Sequence, residues 1–120
     1  MVANNNFQQA STVSVLLGNG DGTFGPPRHV SVGDGPAGVA SADFNGDGNA
    51  DIAVANTASA TLTLLPGKGN GKFRTAQTIT FNSGSLPIWV TAADFNNDGA
   101  PDLAVALSYA NEIAVLINRR

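Results

Sequence analysis

Apolar residues fall in short runs along this chain, and the clearest runs alternate large with small side chains between glycine-rich polar turns. Ile52-Ala53-Val54-Ala55 and Leu103-Ala104-Val105-Ala106 show the pattern best. Neither alternate set is polar, so such a strand is covered on both faces, by bulky residues on one side and small ones on the other. Val13-Ser14-Val15-Leu16, Leu62-Thr63-Leu64-Leu65 and Ile113-Ala114-Val115-Leu116 are three versions of another apolar segment. Ala40-Ser41-Ala42 and Thr91-Ala92-Ala93 are small throughout, as where strands crowd toward an axis. No stretch sustains a helical period. The segments recur with a shift of 51 positions from Asp43 to Asp94 and of 49 from Phe24 to Phe73. Each period of about fifty residues then holds four strands. Strand A covers 39–43 and 90–94, strand B 51–55 and 102–107, strand C the three segments above, and strand D 23–32 and 72–81. Asp21-Gly22 and Asn70-Gly71 are hairpin signals between C and D, and Pro36 and Pro87 punctuate the D-to-A connection. Four-stranded antiparallel sheets repeated at this period and covered on both faces predict an all-β chain of β-propeller blades.

Between strands A and B lies Asp43-Phe44-Asn45-Gly46-Asp47-Gly48-Asn49-Ala50-Asp51, which recurs as Asp94-Phe95-Asn96-Asn97-Asp98-Gly99-Ala100-Pro101-Asp102. Side-chain oxygens stand at loop positions 1, 3, 5 and 9 of both copies. Asp, Asn and Gly make good turns without any metal. Two copies with three matching carboxylates each point further, because gathered carboxylates repel unless a cation sits among them. Ca²⁺ takes oxygen ligands from alternate residues of a tight loop, and a glycine at position 6 permits the sharp turn. Position 7 is Asn49 in one copy and Ala100 in the other, so only its backbone carbonyl is common to both. The loop opens like that of an EF-hand, but its last acid falls at position 9 and strands flank it.

With 120 residues the chain is long enough for one small domain. Of its nine acidic residues six lie in the two loops, so metal there would leave the remainder slightly basic. A basic stripe that would bind nucleic acid is missing. Cysteine is absent, which removes disulfides and thiolate metal sites from consideration. Oxygen-only ligation fits the calcium-rich surroundings outside the cell. Met1-Val2-Ala3-Asn4 does not open a signal peptide, and no apolar run approaches the roughly 20 residues needed to cross a bilayer.

The paired loops, together with Leu17-Gly18-Asn19-Gly20-Asp21-Gly22-Thr23-Phe24, resemble the VCBS/FG-GAP repeat of integrin-α-type propellers from about Val13 onward. The resemblance implies two Ca²⁺ sites. One would use Asp43, Asn45, Asp47, the Asn49 carbonyl and Asp51. The other would use Asp94, Asn96, Asp98, the Ala100 carbonyl and Asp102. It also implies an extracellular setting, in adhesion, carbohydrate recognition or as an accessory to secreted enzymes. Such propellers carry about seven blades, whereas this chain reads as a C-D unit over 1–35, a complete blade over 36–84 and an A-B-C unit over 85–120. Val2-Ala3-Asn4 is a candidate remnant of a further B strand. A propeller closes with about four to eight blades, and an open pair leaves apolar faces in water. The expectation is therefore a homo-oligomer in which one chain's C-D strands pair with the next chain's A-B strands, three chains giving six blades in preference to four giving eight.

The remaining residues divide simply. Phe44 and Phe95 read as plugs between blades, and Phe24 and Phe73 as structural. Gly18-Asn19-Gly20-Asp21-Gly22 lacks a following helix and is a turn, not a phosphate cradle. His29 is the one histidine and reads as solvated. No nucleophile–base pair or spare acid pair is left, which argues against an enzyme. Trp89 aligns with Gly38 and breaks the repeat, and Tyr109 lies at the same end of its blade. They read either as filling the longer connection or as a carbohydrate platform.

Overall fold

The structure, a computed structural model, describes residues 11–119 and the backbone of residues 2–4. Met1 and residues 5–10, within the expected unit 1–35, lie outside the described residues, as does Arg120. The described residues form ten strands and no helix: β1 (Val2–Asn4), β2 (Thr12–Val15), β3 (Arg28–Ser31), β4 (Pro36–Ala42), β5 (Asp51–Asn56), β6 (Thr61–Leu65), β7 (Gln77–Thr80), β8 (Pro87–Ala93), β9 (Asp102–Leu107) and β10 (Glu112–Leu116). They make three antiparallel sheets ordered β1-β2-β3, β4-β5-β6-β7 and β8-β9-β10. The chain is all-β, as its periodicity predicts.

Register shows how closely the sheets repeat. Ala3 pairs with Val13 in the first sheet, Ala55 with Leu62 in the second and Ala106 with Ile113 in the third. Val2-Ala3-Asn4 thus occupies the place of Val54-Ala55-Asn56, and the first sheet supplies its own B strand beside C and D.

The sheets stack face to face on the alternation seen in β5, all of whose residues are buried. Ile52 and Val54 pack with Val13 and Val15 of the first sheet, while Ala53 and Ala55 pack with Leu103, Val105 and Leu107 of the third. Large thus meets small across the second junction. β4 lies against β8 so closely that a Cβ built on Gly38 would stand 2.9 Å from the Trp89 Cα. That is the crowding expected of small strand-A residues.

Several boundaries differ from expectation. Strand D is short in both copies, preceded by lone bridges from Gly18 to Phe24 and from Gly67 to Phe73. In the first copy Pro26 and Pro27 offer no backbone N–H, so the ladder cannot continue through them. Strand A begins earlier, at Pro36 and Pro87, each followed by a bulge. β4 and β8 are edge strands, where proline at the first position is tolerated. Phe44 and Phe73 pack against the two cores, but Phe95 and Phe24 are 46% and 66% exposed. Each of these two looks outward from an end sheet with no neighbour among the described residues. Trp89 fills no gap within the chain, because it too faces outward and is 61% exposed.

Gly38→Ala should destabilise the protein by about 1–3 kcal/mol, since β8 backbone must move to admit the methyl group. Urea denaturation against wild type measures it.

Candidate metal centre

Each A–B loop is a chain of side-chain-to-backbone turns. In the first, Asp43 Oδ1 accepts from the Gly46 and Asp47 N–H groups at 2.8 and 3.1 Å, and Oδ2 from Gly48 N–H at 2.8 Å. Asn45 Oδ1 accepts from Asp47 N–H at 3.1 Å, and Asp47 Oδ1 from Asn49 N–H at 2.8 Å. Asn45 Nδ2 in turn donates to Asp47 Oδ2 at 3.2 Å. The second loop repeats this: Asp94 takes Asp98 and Gly99 N–H, Asn96 takes Asp98 N–H, and Asp98 takes Ala100 N–H. Gly48 and Gly99, at position 6, both have φ of +86°. Position 4 also turns left-handed, with Gly46 at +75° and Asn97 at +59°, a conformation asparagine tolerates better than most residues.

Positions 1, 3 and 5 are thus brought together at the tip of each hairpin, in the order the spacing suggests. Position 9 makes a separate set of hydrogen bonds. Asp51 and Asp102 are 3% and 1% exposed. Asp51 Oδ2 accepts from Phe44 N–H at 2.9 Å and Oδ1 from Gly67 N–H at 2.8 Å. Asp102 does the same with Phe95 and Asn118, at 2.9 and 2.8 Å. This carboxylate ties the loop's entry to the end of strand C. Among the described residues no three Asp, Glu or His side chains form a metal-holding group by themselves. At position 7, Asn49 is half-buried with its side chain toward Gly69, and Ala100 is buried.

Two residues beside the loops escaped the sequence reading. Arg74 reaches Asp47 Oδ2 at 4.0 Å, an exposed pair of little energetic weight. Asn118 stands where Gly67 does in the middle sheet, and its Nδ2 donates to the Phe44 carbonyl at 2.6 Å and the Pro101 carbonyl at 3.1 Å. The signal was that alignment with glycine. Asp47 titrates below its ordinary 3.8, chiefly because the Asn49 N–H donates to it. Asp21, in the exposed C–D turn, is also lowered, by the Thr23 hydroxyl and N–H. His29 is exposed as expected, with Nδ1 3.0 Å from Ser14 Oγ. A cleft of about 630 Å³ lies between the middle and third sheets beside Phe44, Leu64, Ile79, Leu116 and Asn118. Trp89 and Tyr109 do not line it.

Sheet repeat and loop chemistry together define a chain of tandem FG-GAP-like units. The FG-GAP-like repeat model matches residues 1–54 and 43–105, two overlapping repeats, and the chain belongs to that family. The family points to a β-propeller-type module, and its repeats occur generally in extracellular and surface proteins. No curated protein and no solved structure matches the chain.

Asp51→Ala should cost about 2–5 kcal/mol even in chelator, because two buried N–H groups lose a charged acceptor. Equal stability of the variant and wild type in EDTA would deny the clamp. In metal-free protein the Asp47 carboxyl should titrate below 3.8 by NMR. Its depressed folded value means the turn's stabilisation is present above the ordinary value and lost as pH falls through the folded one.

Proposed function

We propose that the chain is a non-enzymatic, calcium-stabilised propeller unit that assembles with copies of itself and serves as a scaffold or adhesion-type module outside the cell. The three sheets are then one four-stranded blade flanked by two three-stranded ones. The observation that carries the metal reading is the gathering of Asp43, Asn45 and Asp47, and of Asp94, Asn96 and Asp98, on preformed turns. Their oxygens are carboxylate and amide, the donors a hard cation prefers, with no imidazole or thiolate among them. Asn45 Oδ1 and Asp47 Oδ1 each accept one backbone N–H in these turns and keep a second lone pair for a cation. Asp51 and Asp102 would support the site through their clamps, or ligate by the lone pairs left to them. The Asn49 and Ala100 carbonyls would complete each set.

At millimolar calcium a site of about 10⁻⁴ M affinity adds about 1.4 kcal/mol to stability, and two independent sites about twice that. EDTA should therefore lower the melting temperature, and Asp47→Ala or Asp98→Ala should remove part of the calcium response, with a smaller loss of stability in the metal-free protein from the broken turn. A melting temperature that ignores EDTA in a calcium-loaded sample would reduce the loops to turns.

Self-assembly is supported by the apolar end sheets. Ile113 is 71% exposed and Val115 53%, alongside Phe95 and Phe24. Closed rings of three or four chains would cover these faces with one repeated contact. A second function, glycan binding, draws on the exposure of Trp89 and Tyr109, at 61% and 77%, since exposed aromatics stack on sugar rings. On a glycan array, reproducible binding that Trp89→Ala abolishes would establish the lectin. A blank array leaves the scaffold.

A further inference from the structure

Asparagine is followed by glycine at three places, Asn19-Gly20, Asn45-Gly46 and Asn70-Gly71. Such a pair can modify itself, because glycine has no Cβ to keep its backbone nitrogen from the asparagine Cγ. The nitrogen must lose its proton to attack, and charge then develops on Oδ1. Contacts to that N–H, to its peptide carbonyl and to Oδ1 therefore set which pair reacts.

The fold holds the three pairs differently. At Asn45 the Gly46 N–H is donated to the Asp43 carboxylate at 2.8 Å, and an anion on that hydrogen opposes its departure. Asn45 Nδ2, the leaving group, is tied to Asp47 Oδ2 at 3.2 Å. At Asn19 the Nδ2 group donates to Thr23 Oγ1 at 3.0 Å. Asn70 lies exposed in the C–D turn of the middle sheet, with Lys68 and Lys72 in the same hairpin. Its Oδ1 accepts the Lys72 N–H at 3.1 Å, a donor placed where charge would develop. Asn45 Oδ1 has a like donor in the Asp47 N–H, so the contrast lies at the nitrogen. The Asn70 backbone carbonyl accepts from Arg28 Nη1 of β3 at 3.1 Å. That carbonyl shares one peptide group with the Gly71 nitrogen, so the guanidinium stabilises the peptide anion that attacks.

We propose that Asn70 is a site of spontaneous deamidation activated by Arg28 from the first sheet, while the Asp43 carboxylate guards Asn45 against the same reaction. Gly71 N gives its proton to solvent base and bonds to Asn70 Cγ, and the Cγ–Nδ2 bond breaks to release ammonia. Water then opens the cyclic imide at one of its two carbonyls. Opening at Cγ leaves aspartate in an unaltered backbone. Opening at the Asn70 backbone carbonyl leaves isoaspartate, with the chain running through Cγ. The sum is asparagine plus water giving acid plus ammonia, and neither a metal nor a second copy takes part. Aspartate fits the turn, since Asp21 is the counterpart of Asn70 by the bridges at Gly18 and Gly67 and takes the Thr23 N–H at 2.9 Å. Isoaspartate lengthens the backbone by an extra carbon beside Gly71, where a built Cβ would stand 2.9 Å from Leu17 Cδ1 of the first sheet. That product strains the first–middle junction.

The 120-residue chain would be held in mildly alkaline buffer with EDTA, folded or in urea, and its peptides followed by mass spectrometry. In the folded chain Asn70 should convert about tenfold faster than Asn45 or more, and in urea the two rates should converge. Arg28 is exposed on β3, so Arg28→Leu should keep the fold, checked by circular dichroism. It should slow Asn70 about tenfold, the rate equivalent of one charge-assisted hydrogen bond. Asp43→Ala should speed conversion at Asn45. An isoaspartate-specific methyltransferase should label the peptide that holds position 70. Equal rates at Asn45 and Asn70 in the folded chain, or a difference that persists in urea, would overturn the proposal. So would a folded Arg28→Leu variant that deamidates at Asn70 as fast as wild type.

Discussion

Burial of β5 on both faces is the constraint from which the rest of the structure follows. A strand whose every side chain is apolar, save its ends, cannot belong to a sheet with a wet side. It needs neighbours above and below. Ile52 and Val54 take the first sheet and Ala53 and Ala55 the third, so one strand sets the stacking direction and the spacing of two junctions. The alanine face brings the third sheet close, and Gly38 removes the last obstacle to β8. Size alternation along four residues thus becomes the geometry of a stack.

The loops are fastened to that stack by the last carboxylate of each motif. Asp51 and Asp102 sit at the start of β5 and β9, buried, and each spans the entry to its own loop and the exit of strand C. Burying a carboxyl group this deeply is costly unless its oxygens are met, and backbone N–H groups meet them here. The same arrangement leaves the first three oxygen-bearing residues at the hairpin tip, held by local turns. One motif therefore does two things: its last carboxylate fastens the loop to the stack, and its first residues shape the turn at the tip. Asn118 adds a link between sheets, joining strand C of the third to the loop of the second through the Phe44 carbonyl.

The three sheets are equivalent in register and unequal in environment. Only the middle one has both faces covered among the described residues. Identical positions therefore carry different burdens: Phe44 packs where Phe95 is exposed, and Phe73 packs where Phe24 is exposed. Substitutions that break the repeat gather at these ends. Trp89 replaces a glycine that a neighbouring backbone requires, and Asn118 replaces one whose Cβ would meet the Ala50 carbonyl.

Sequence by itself determined the all-β class, the repeat of about fifty residues, the family and the order of oxygen donors in the two loops. Each is a local signal: alternation of period two, glycine where φ must be positive, aspartate and asparagine where turns need acceptors. Even Val2-Ala3-Asn4 was legible as a B strand, because it copies Val54-Ala55-Asn56. Tertiary structure alone decided which face of a strand meets which sheet, and so which phenylalanines are plugs and which are exposed. It also decided that Asp51 and Asp102 turn inward, since position 9 begins a buried strand and its partner N–H lies 16 residues away. Strand D is shorter than its sequence suggests, in the first copy because Pro26 and Pro27 offer no N–H to the ladder. Trp89 was visible as a break in the repeat. Only β8 lying across Gly38 gave that break a physical meaning, because a steric conflict between two sheets is written in neither of them separately.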